Sequence, residues 1–147
     1  MIEYRFLDSD DTLRFEKIVE LFRHQKVDDD KALSILNNPS ILVGLANKDE
    51  DICGYTLSYR LPRMDNGNDM MLIYHCFVAE GYKRQGVATR MINMLLEYAK
   101  EHDLHYVFLI TQEDNEAANS LYQKLGGELH PSNRNLYYWY FTGRPKL

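Results

Sequence analysis

The segment that most restricts how this chain can fold is an apolar run that passes through a short basic turn into a helical pattern. The run MMLIYHCFV, residues 70–78, is apolar on both faces, which is typical of a central strand covered by helices on each side. Apolar side chains then recur at helical spacing over residues 86–102; this stripe consists of Val87, Met91, Leu95 and Tyr98. A strand that leads directly into a helix predicts a layered fold of helices and strands.

The rest of the chain predicts further strands and helices around this unit. Apolar spacing and capping residues predict helices at residues 11–25, 27–38, 86–102 and from near Asn115 to Gly126–Gly127. Strands are predicted at residues 2–8, at 40–62 as two strands joined by a polar turn, and at 70–78, 104–110 and 135–141, with a short extra strand near 127–130. With 147 residues and no linker-like tract, we expect one domain over residues 1–147, built on a mixed sheet with helices on both sides.

The charge and the cysteines narrow the class of protein. A net charge of -5 and a pI near 5.5 argue against a general nucleic-acid binder, which needs a basic surface. No apolar run approaches the roughly 20 residues of a membrane span, and the acidic start of the chain does not fit a targeting peptide. Cys53 and Cys76 lie in predicted strands without metal-ligand spacing. We therefore expect reduced thiols, no metal site, and a cytoplasmic protein that binds neither nucleic acid nor membrane.

The basic turn before the 86–102 helix has the composition of an anion-binding site. The first turn of a helix carries unpaired N–H groups and the positive end of the helix dipole. Gly86 and Ala88 let a ligand approach the backbone closely, and Lys83 and Arg84 add the positive charge that a phosphate or pyrophosphate attracts. Neither the phosphate-loop motif nor the dinucleotide G-x-G-x-x-G motif is present. The alternative is a solvated basic turn that only precedes a helix.

The sequence VAEGYKRQGVA, residues 78–88, resembles the acetyl-coenzyme A signature of the GCN5-related N-acetyltransferases. The family form [Q/R]-x-x-G-x-[G/A] falls on residues 83–88, with Lys83 where arginine or glutamine is usual. A second hallmark follows, because NEAANSLYQKLGGE resembles the family segment N-x-x-A-x-x-x-Y-x-K-L-G-F; its phenylalanine is absent, and Gly127 and Glu128 stand in this region. The resemblance implies an α+β (mixed α/β) fold with a mostly antiparallel sheet of roughly six to seven strands and about four helices on both faces.

Within that family, the loop RMDNGND and the segment ITQEDNEAANSLYQKLG look most like the aminoglycoside 3-N-acetyltransferase branch, with His75 at the position of that branch's strand aspartate. The resemblance implies transfer of an acetyl group from acetyl-CoA to a primary amine. A small cationic amine, such as an aminoglycoside or polyamine, is the favoured acceptor. A protein N-terminus or lysine is an alternative acceptor, and a non-catalytic acyl-CoA-binding sensor is an alternative function.

The resemblance also implies roles for individual residues. Phe77 and Val78 match strand positions whose backbone binds the pantetheine arm and thioester oxygen, and Asn115 matches a contact to the same arm. The positions that match the pyrophosphate loop are Lys83, Arg84, Gln85, Gly86, Val87, Ala88 and Thr89. Tyr122 lies two helical turns after Asn115, so both can face one ligand, and its neutral phenol suits an acid that protonates the departing thiolate. The alternative for Tyr122 is a core position on the apolar stripe of its helix.

The general base is open between several groups. His75 has the ordinary histidine pKa of about 6.5, which suits the task, although a histidine in a central strand is often a packed core residue. Glu80 and Glu113 flank the expected cleft and could act through water, although each could also be a solvated loop carboxylate. A water chain without a single base is the remaining alternative.

The acceptor side and the end of the chain carry two further patterns. Acidic residues cluster where an acceptor is expected, namely Asp28, Asp29, Asp30, Asp65, Asp69, Glu113 and Asp114. They would concentrate a cationic amine, although helix capping and turns also explain aspartates at such places. Both faces of NLYYWYF, residues 135–141, are aromatic. This predicts a strand enclosed in the core or covered by the second subunit of a homodimer.

Overall fold

A computed structural model describes residues 1–65, 67–130 and 135–143, and in these residues five strands form one sheet in the order β1-β2-β3-β4-β5. The strands are β1 (Glu3–Phe6), β2 (Ile41–Lys48), β3 (Asp51–Leu61), β4 (Met70–Val78) and β5 (Val107–Leu109). Neighbouring strands are antiparallel except β4 and β5, which are parallel. The predicted mixed, mostly antiparallel sheet is therefore confirmed.

Four α-helices accompany the sheet in the described residues: α1 (Thr12–Ile18), α2 (Asp29–Leu36), α3 (Val87–Glu101) and α4 (Glu116–Lys124). The predicted helix over residues 11–25 is present but changes its winding, because α1 follows a 3-10 turn at Ser9–Asp11 and continues as a π-helical turn at Val19–Arg23. None of the helices in the described part of the chain combines the length and the apolar character that a bilayer crossing needs.

The helices cover opposite faces of the sheet. On the first face, α1 and α2 pack over a buried cluster that includes Ile18, Val43, Leu45 and Tyr55. On the second face, α3 and α4 pack over a cluster that includes Met71, Ile73, Ile92 and Leu95, with Tyr122 and Leu125 of α4 at its margin. Helices on both faces explain why β4 is apolar on both sides.

A β-bulge in β4 decides which of its side chains reach each face. Leu57 of β3 pairs with His75, but the next residue, Ser58, pairs with Ile73, so Tyr74 is the extra residue. Side chains alternate along a strand, and one extra residue reverses the alternation beyond it. Ile73 and Cys76 therefore both pack on the second face, whereas His75 contacts Tyr55 on the first face.

The predicted strand count was too high for the described residues. Residues 127–130 form no strand, and residues 135–141 form no strand either. Their apolar side chains lie open to solvent, from 45% exposure at Tyr140 to 90% at Phe141. Aromatic residues favour strands because they pack on a half-buried pleated surface. Where no such surface covers this segment, aromatic alternation alone does not produce a strand.

Candidate active site

The parallel pairing between β4 and β5 covers only the first part of β4. Met71–Ile73 pair with Val107–Leu109, and there the pairing with β5 ends. Within the described residues, 75–78 pair with β3 on one side, Tyr74 is the bulged residue, and 74–78 have no strand on the other side; we call residues 74–78 the open edge. It lies at the carboxyl ends of β4 and β5, the position where sheets with parallel strands bind ligands.

The N-terminus of α3 adjoins the open edge and has the features of an anion site. Gly86 is its N-cap at φ 79°, and no side chain caps the helix. Arg84 has φ 62°, so two residues close together lie in the left-handed region that turns backbone N–H groups towards one point. A Cβ atom built on Gly86 would meet nothing within 4 Å. This loop therefore has room and donors for the pyrophosphate of acetyl-CoA, and its residues fit the group that the sequence predicts there.

The charged groups of this loop are already partly paired. Lys83 Nζ lies 2.9 Å from a carboxylate oxygen of Glu80, and both side chains are exposed. The hydrogen bond to Lys83 lowers the pKa of Glu80, which makes this carboxylate a weaker base. Gln85 donates its side-chain amide to the carbonyl of Gly81 at 3.2 Å. The geometry thus ties Glu80 to the anion loop, and its role as a base stays a prediction.

On the second face, Tyr122 and Cys76 lie next to the open edge. Burial, followed by the neighbouring Cys76, raises the pKa of Tyr122 to about 12, so its phenol stays protonated across the neutral range. Burial also raises the pKa of the Cys76 thiol to about 12, which makes it inert as a nucleophile. Asn115 caps α4 as predicted, accepting from Ala118 N at 3.1 Å, and its amide hydrogens remain for other partners.

On the first face, His75 lines a small cavity of about 110 Å³ between the sheet and the helices α1 and α2. The residues around it are mainly apolar; they are Phe15, Ile18, Val19, Arg23, Ile35, Val43, Tyr55, Leu57, Tyr59 and His75. Tyr55 OH and His75 Nδ1 are 3.0 Å apart. The rings of Phe22 and Phe77 lie 5.0 Å and 5.7 Å from that of Tyr55, so the pair sits in an aromatic cluster.

The cavity changes the titration of both polar rings. Burial, followed by the charge of Arg23, lowers the pKa of His75 to about 4. Burial raises the pKa of Tyr55 to about 12, although Arg23 acts in the opposite direction. His75 is therefore neutral at physiological pH, and the expectation of an ordinary histidine pKa is corrected.

The bulge separates two predicted catalytic residues. Tyr122 belongs to the second face and His75 to the first, so the sheet lies between them. Only a ligand that passes through the open edge could contact both. Neither Tyr55 nor Arg23 was predicted as a site residue. The available signal for Tyr55 is its alternation with Leu57 and Tyr59 in the sequence, which puts the three side chains on one face of β3. Arg23 reaches the cavity from a π-helical turn that the helical spacing does not reveal.

Three of the seven predicted acceptor carboxylates have a hydrogen-bond or ion-pair partner close by. Asp28 caps α2 by accepting from Lys31 N at 2.8 Å. Asp65 and Asp69 form ion pairs of 2.6 Å and 3.1 Å with Arg63 and Arg60. Glu16 of α1 differs from these paired carboxylates, because desolvation, followed by the neighbouring Asp29 and Asp28, raises its pKa. The carboxyl groups of Glu16, Asp28 and Asp29 thus lie close together between α1 and α2, where their negative charges repel one another.

Comparison with known proteins agrees with this geometry. Residues 6–127 match the model of the acetyltransferase (GNAT) family. N-alpha-acetyltransferase 30 of Schizosaccharomyces pombe is 33% identical over 66 residues, a match that spans 45% of this chain and 42% of that protein.

Solved structures share the fold. An aminoglycoside acetyltransferase from an uncultured soil metagenomic sample has a TM-score of 0.82 and 18% identity, with 95% of this chain and 99% of that chain covered. An aminoglycoside N-acetyltransferase in complex with CoA has a TM-score of 0.74 and 17% identity, with 95% of each chain covered. At such identities the likeness concerns the fold, whereas the family match extends over most of the sequence. The chain belongs to the GNAT family of acetyltransferases.

Proposed function

We propose that this protein transfers the acetyl group of acetyl-CoA to a primary amine at the open edge of β4. The observation that carries this proposal is the convergence of three features at one end of the sheet: the unpaired stretch of β4, the uncapped N-terminus of α3, and polar rings on both faces. A ligand that threads the open edge would have its anionic part at α3 and its reactive end between the two faces. This is the geometry that an acyl transfer between two separate substrates needs.

The chain's own groups suggest how acetyl-CoA would be held. Backbone N–H groups of residues 83–89, together with the exposed charges of Lys83 and Arg84, would bind the pyrophosphate. The unpaired backbone at Phe77 and Val78 would bind the pantetheine arm and the thioester oxygen, and the amide of Asn115 would add a contact. When bound, the cofactor supplies an activated acetyl thioester.

The transfer forms one bond and breaks another. The amine nitrogen bonds to the acetyl carbon, the carbon–sulfur bond breaks, the nitrogen loses a proton, and the thiolate gains one. Tyr122 faces the sulfur side in this arrangement. Its pKa of about 12 lies well above the 8.5 or so of an ordinary thiol, so complete transfer of the phenolic proton is uphill. Tyr122 therefore acts mainly by donating a hydrogen bond to the departing sulfur.

For the acceptor, we propose a small cationic amine such as an aminoglycoside or polyamine. The support is the group of Glu16, Asp28 and Asp29 between α1 and α2, whose mutual repulsion a bound cation would relieve. The aromatic cluster beside His75 could add cation–π attraction. The fold likeness to an aminoglycoside acetyltransferase agrees with this class.

A polypeptide α-amine is the second candidate, and a specific observation favours it. The cavity beside His75 has a volume of about 110 Å³ and a mainly apolar lining. An engineered apolar cavity of about 150 Å³ holds benzene, so this one is suited to an aliphatic side chain next to the reacting amine. The curated relative named as an N-alpha-acetyltransferase points to the same class.

An acceptor panel separates these classes. Release of CoA thiol would be followed with an aminoglycoside, a polyamine and short peptides whose first side chain is either apolar or small. In the cationic proposal, replacing Asp28, Asp29 and Asp30 by asparagine raises KM several-fold for the polycations, and salt reduces the effect because exposed charges are screened within about 10 Å at 0.1 M. Asparagine keeps the side-chain oxygen that caps α2, so the helix is retained.

A control is Asp103→Asn, which removes one negative charge beyond the C-terminal end of α3, where φ is 53° and asparagine is tolerated. Preference for the apolar peptide, with no effect of the three substitutions on KM, would reject the cationic acceptor in favour of the α-amine.

A further inference from the structure

The hydrogen bond between Tyr55 and His75 has a direction, and the direction determines what His75 can do. We propose that Tyr55 is a positioning residue whose hydroxyl donates to Nδ1 of His75 and holds the imidazole as the Nε2–H tautomer. His75 then faces the acceptor side of the open edge as a hydrogen-bond donor and not as a base. The inference rests on the proposed function only for the identity of the group to which His75 donates.

The pair is held rigidly. Tyr55 is 4% exposed, and its hydroxyl lies 3.0 Å from His75 Nδ1. The two rings are edge-on, with centroids 5.9 Å apart and an interplanar angle of 85°. The ring centroid of Phe77 lies 5.4 Å from that of His75, and Leu57 is the cross-strand partner of His75. Packing on this scale leaves Nδ1 paired with one partner, so the other ring nitrogen is the one presented to a ligand.

The surroundings favour donation by the phenol. If Nδ1–H donated instead, the phenolic hydrogen would need another acceptor in the cavity. The other polar side chains that line it, among the described residues, are Arg23, which is a donor only, and Tyr59, whose hydroxyl could accept but forms no hydrogen bond with Tyr55. An imidazole lone pair is also a stronger acceptor than a phenol oxygen, because imidazole is far more basic. Both considerations indicate that Tyr55 supplies the hydrogen of this bond and that the imidazole carries its own hydrogen on Nε2.

Both groups have the protonation state that this arrangement needs. His75 is neutral near pH 7 because burial and Arg23 lower its pKa, and burial raises that of Tyr55. The titratable and charged groups around the ring are Tyr55 and Tyr59 from β3, Arg23 from the π-helical turn, and Tyr74 and Cys76 on its own strand. Of the described residues that line this cavity, none is a carboxylate. Nothing among these groups therefore favours the imidazolium.

The consequence concerns the proton of the amine. In the Nε2–H tautomer, the nitrogen that faces the ligand has no lone pair available, so it cannot remove that proton. It can donate to the thioester oxygen, which gains negative charge as the amine adds to the acetyl carbon and before the carbon–sulfur bond breaks, as donors in oxyanion sites do. The amine proton then leaves through water, which agrees with the alternative of a water chain without a single base.

The direct test is the tautomer itself, measured by nitrogen NMR of histidine-labelled protein without any cofactor. His75→Gln identifies the resonance by its loss. We expect the Nε2–H form in the wild type. Tyr55→Phe removes the donor, so the second tautomer should appear and the pKa of His75 should rise by about half to one unit, the equivalent of one net hydrogen bond. An Nδ1–H form in the wild-type protein would overturn the proposal, and this readout does not depend on acetyl transfer.

The activity test compares three substitutions at one position. Glutamine places an amide N–H near the site of Nε2 but cannot act as a base, whereas asparagine places it near Nδ1 and alanine has neither. With the acceptor identified by the panel, His75→Gln should keep kcat within about tenfold of the wild type, and His75→Asn and His75→Ala should lose on the order of 100-fold, as loss of a donor in such a site does. If His75→Gln is as impaired as His75→Ala while both are folded, His75 is a base and the inference is wrong. A wild-type protein that transfers no acetyl group, yet shows the Nε2–H tautomer, would instead count against the proposed function alone.

Discussion

At the scale of single residues, Tyr122 offers the clearest separation of chemistry from packing. Tyr122→Phe removes only the hydroxyl and keeps the ring that packs against the buried cluster of the second face. We expect kcat to fall about 100-fold while the Kd of acetyl-CoA changes little, since a positioned donor contributes to the transition state. Steady-state kinetics and calorimetric binding measure the two quantities. Because the pKa of Tyr122 is about 12, no decline of activity below pH 10 should be traceable to this residue. Unchanged turnover in the variant would return Tyr122 to its packing role.

His75 predicts a pH dependence of stability as well as of mechanism. Its pKa falls from about 6.5 in the unfolded chain to about 4 in the fold, so the unfolded chain binds more protons between these values. The contribution of His75 to the free energy of unfolding is therefore fully present above pH 6.5 and is lost as the pH falls towards 4. The full shift corresponds to about 3 kcal/mol, and screening at a half-buried ring reduces this to about 1–2 kcal/mol.

The corresponding measurement is the melting temperature between pH 4 and 7. His75→Gln has no titrating ring, so its acid limb should be shallower than that of the wild type over this window. Parallel limbs in the two proteins would show that His75 titrates normally and that the cavity does not exclude its charge.

At the scale of secondary-structure elements, the start of α3 carries the cofactor hypothesis. Acetyl-CoA at a hundredfold excess over Kd should stabilise the fold by roughly 2.7 kcal/mol. Gly86→Glu should abolish this stabilisation, because the carboxylate would enter the space where the pyrophosphate is expected. Gly126→Glu is a matched control, since Gly126 also has a positive φ, 92°, and open space around its Cβ position. Gly126 lies just beyond the C-terminal end of α4 and not at the start of α3. Thermal unfolding with and without cofactor should show loss in the first variant only. Equal cofactor stabilisation in both variants would contradict the site.

The elements also show what the sequence could and could not predict. The spacing of Val87, Met91 and Leu95 predicted α3 because a long amphipathic helix repeats its apolar positions several times. The bulge at Tyr74 was not predictable, since apolar side chains stand on both faces of this strand and a change of phase leaves that pattern unaltered. The π-helical turn that brings Arg23 to the cavity likewise leaves the apolar spacing nearly unchanged. The anion loop was predicted, therefore, whereas the pairing of His75 with Tyr55 required the fold.

At the scale of the whole molecule, residues 135–141 predict a second subunit. Trp139 is the single tryptophan of the sequence and is 75% exposed in the monomer, beside Tyr137 at 6.3 Å. An aromatic segment this open to water is expected to be covered by association. We predict a homodimer in sedimentation, with blue-shifted tryptophan emission that shifts to the red on dilution. Trp139→Ser should weaken the association, whereas Leu13→Ser, at another apolar side chain that is 72% exposed, should not. A monomer with solvent-exposed emission at all concentrations would reject this prediction.

Transfer of an acetyl group from acetyl-CoA to an amine at the open edge of β4 is open to direct observation. The most direct measurement incubates the protein with acetyl-CoA carrying a labelled acetyl group and an amine acceptor, and follows both CoA release and the mass of the acceptor. We expect amine-dependent release of one CoA for each acetyl group that appears on acceptor nitrogen, with the rate reduced in Tyr122→Phe. Saturable binding of acetyl-CoA without any amine-dependent CoA release, across cationic amines and peptides alike, would exclude acetyl transfer and identify a protein that binds the cofactor without turnover.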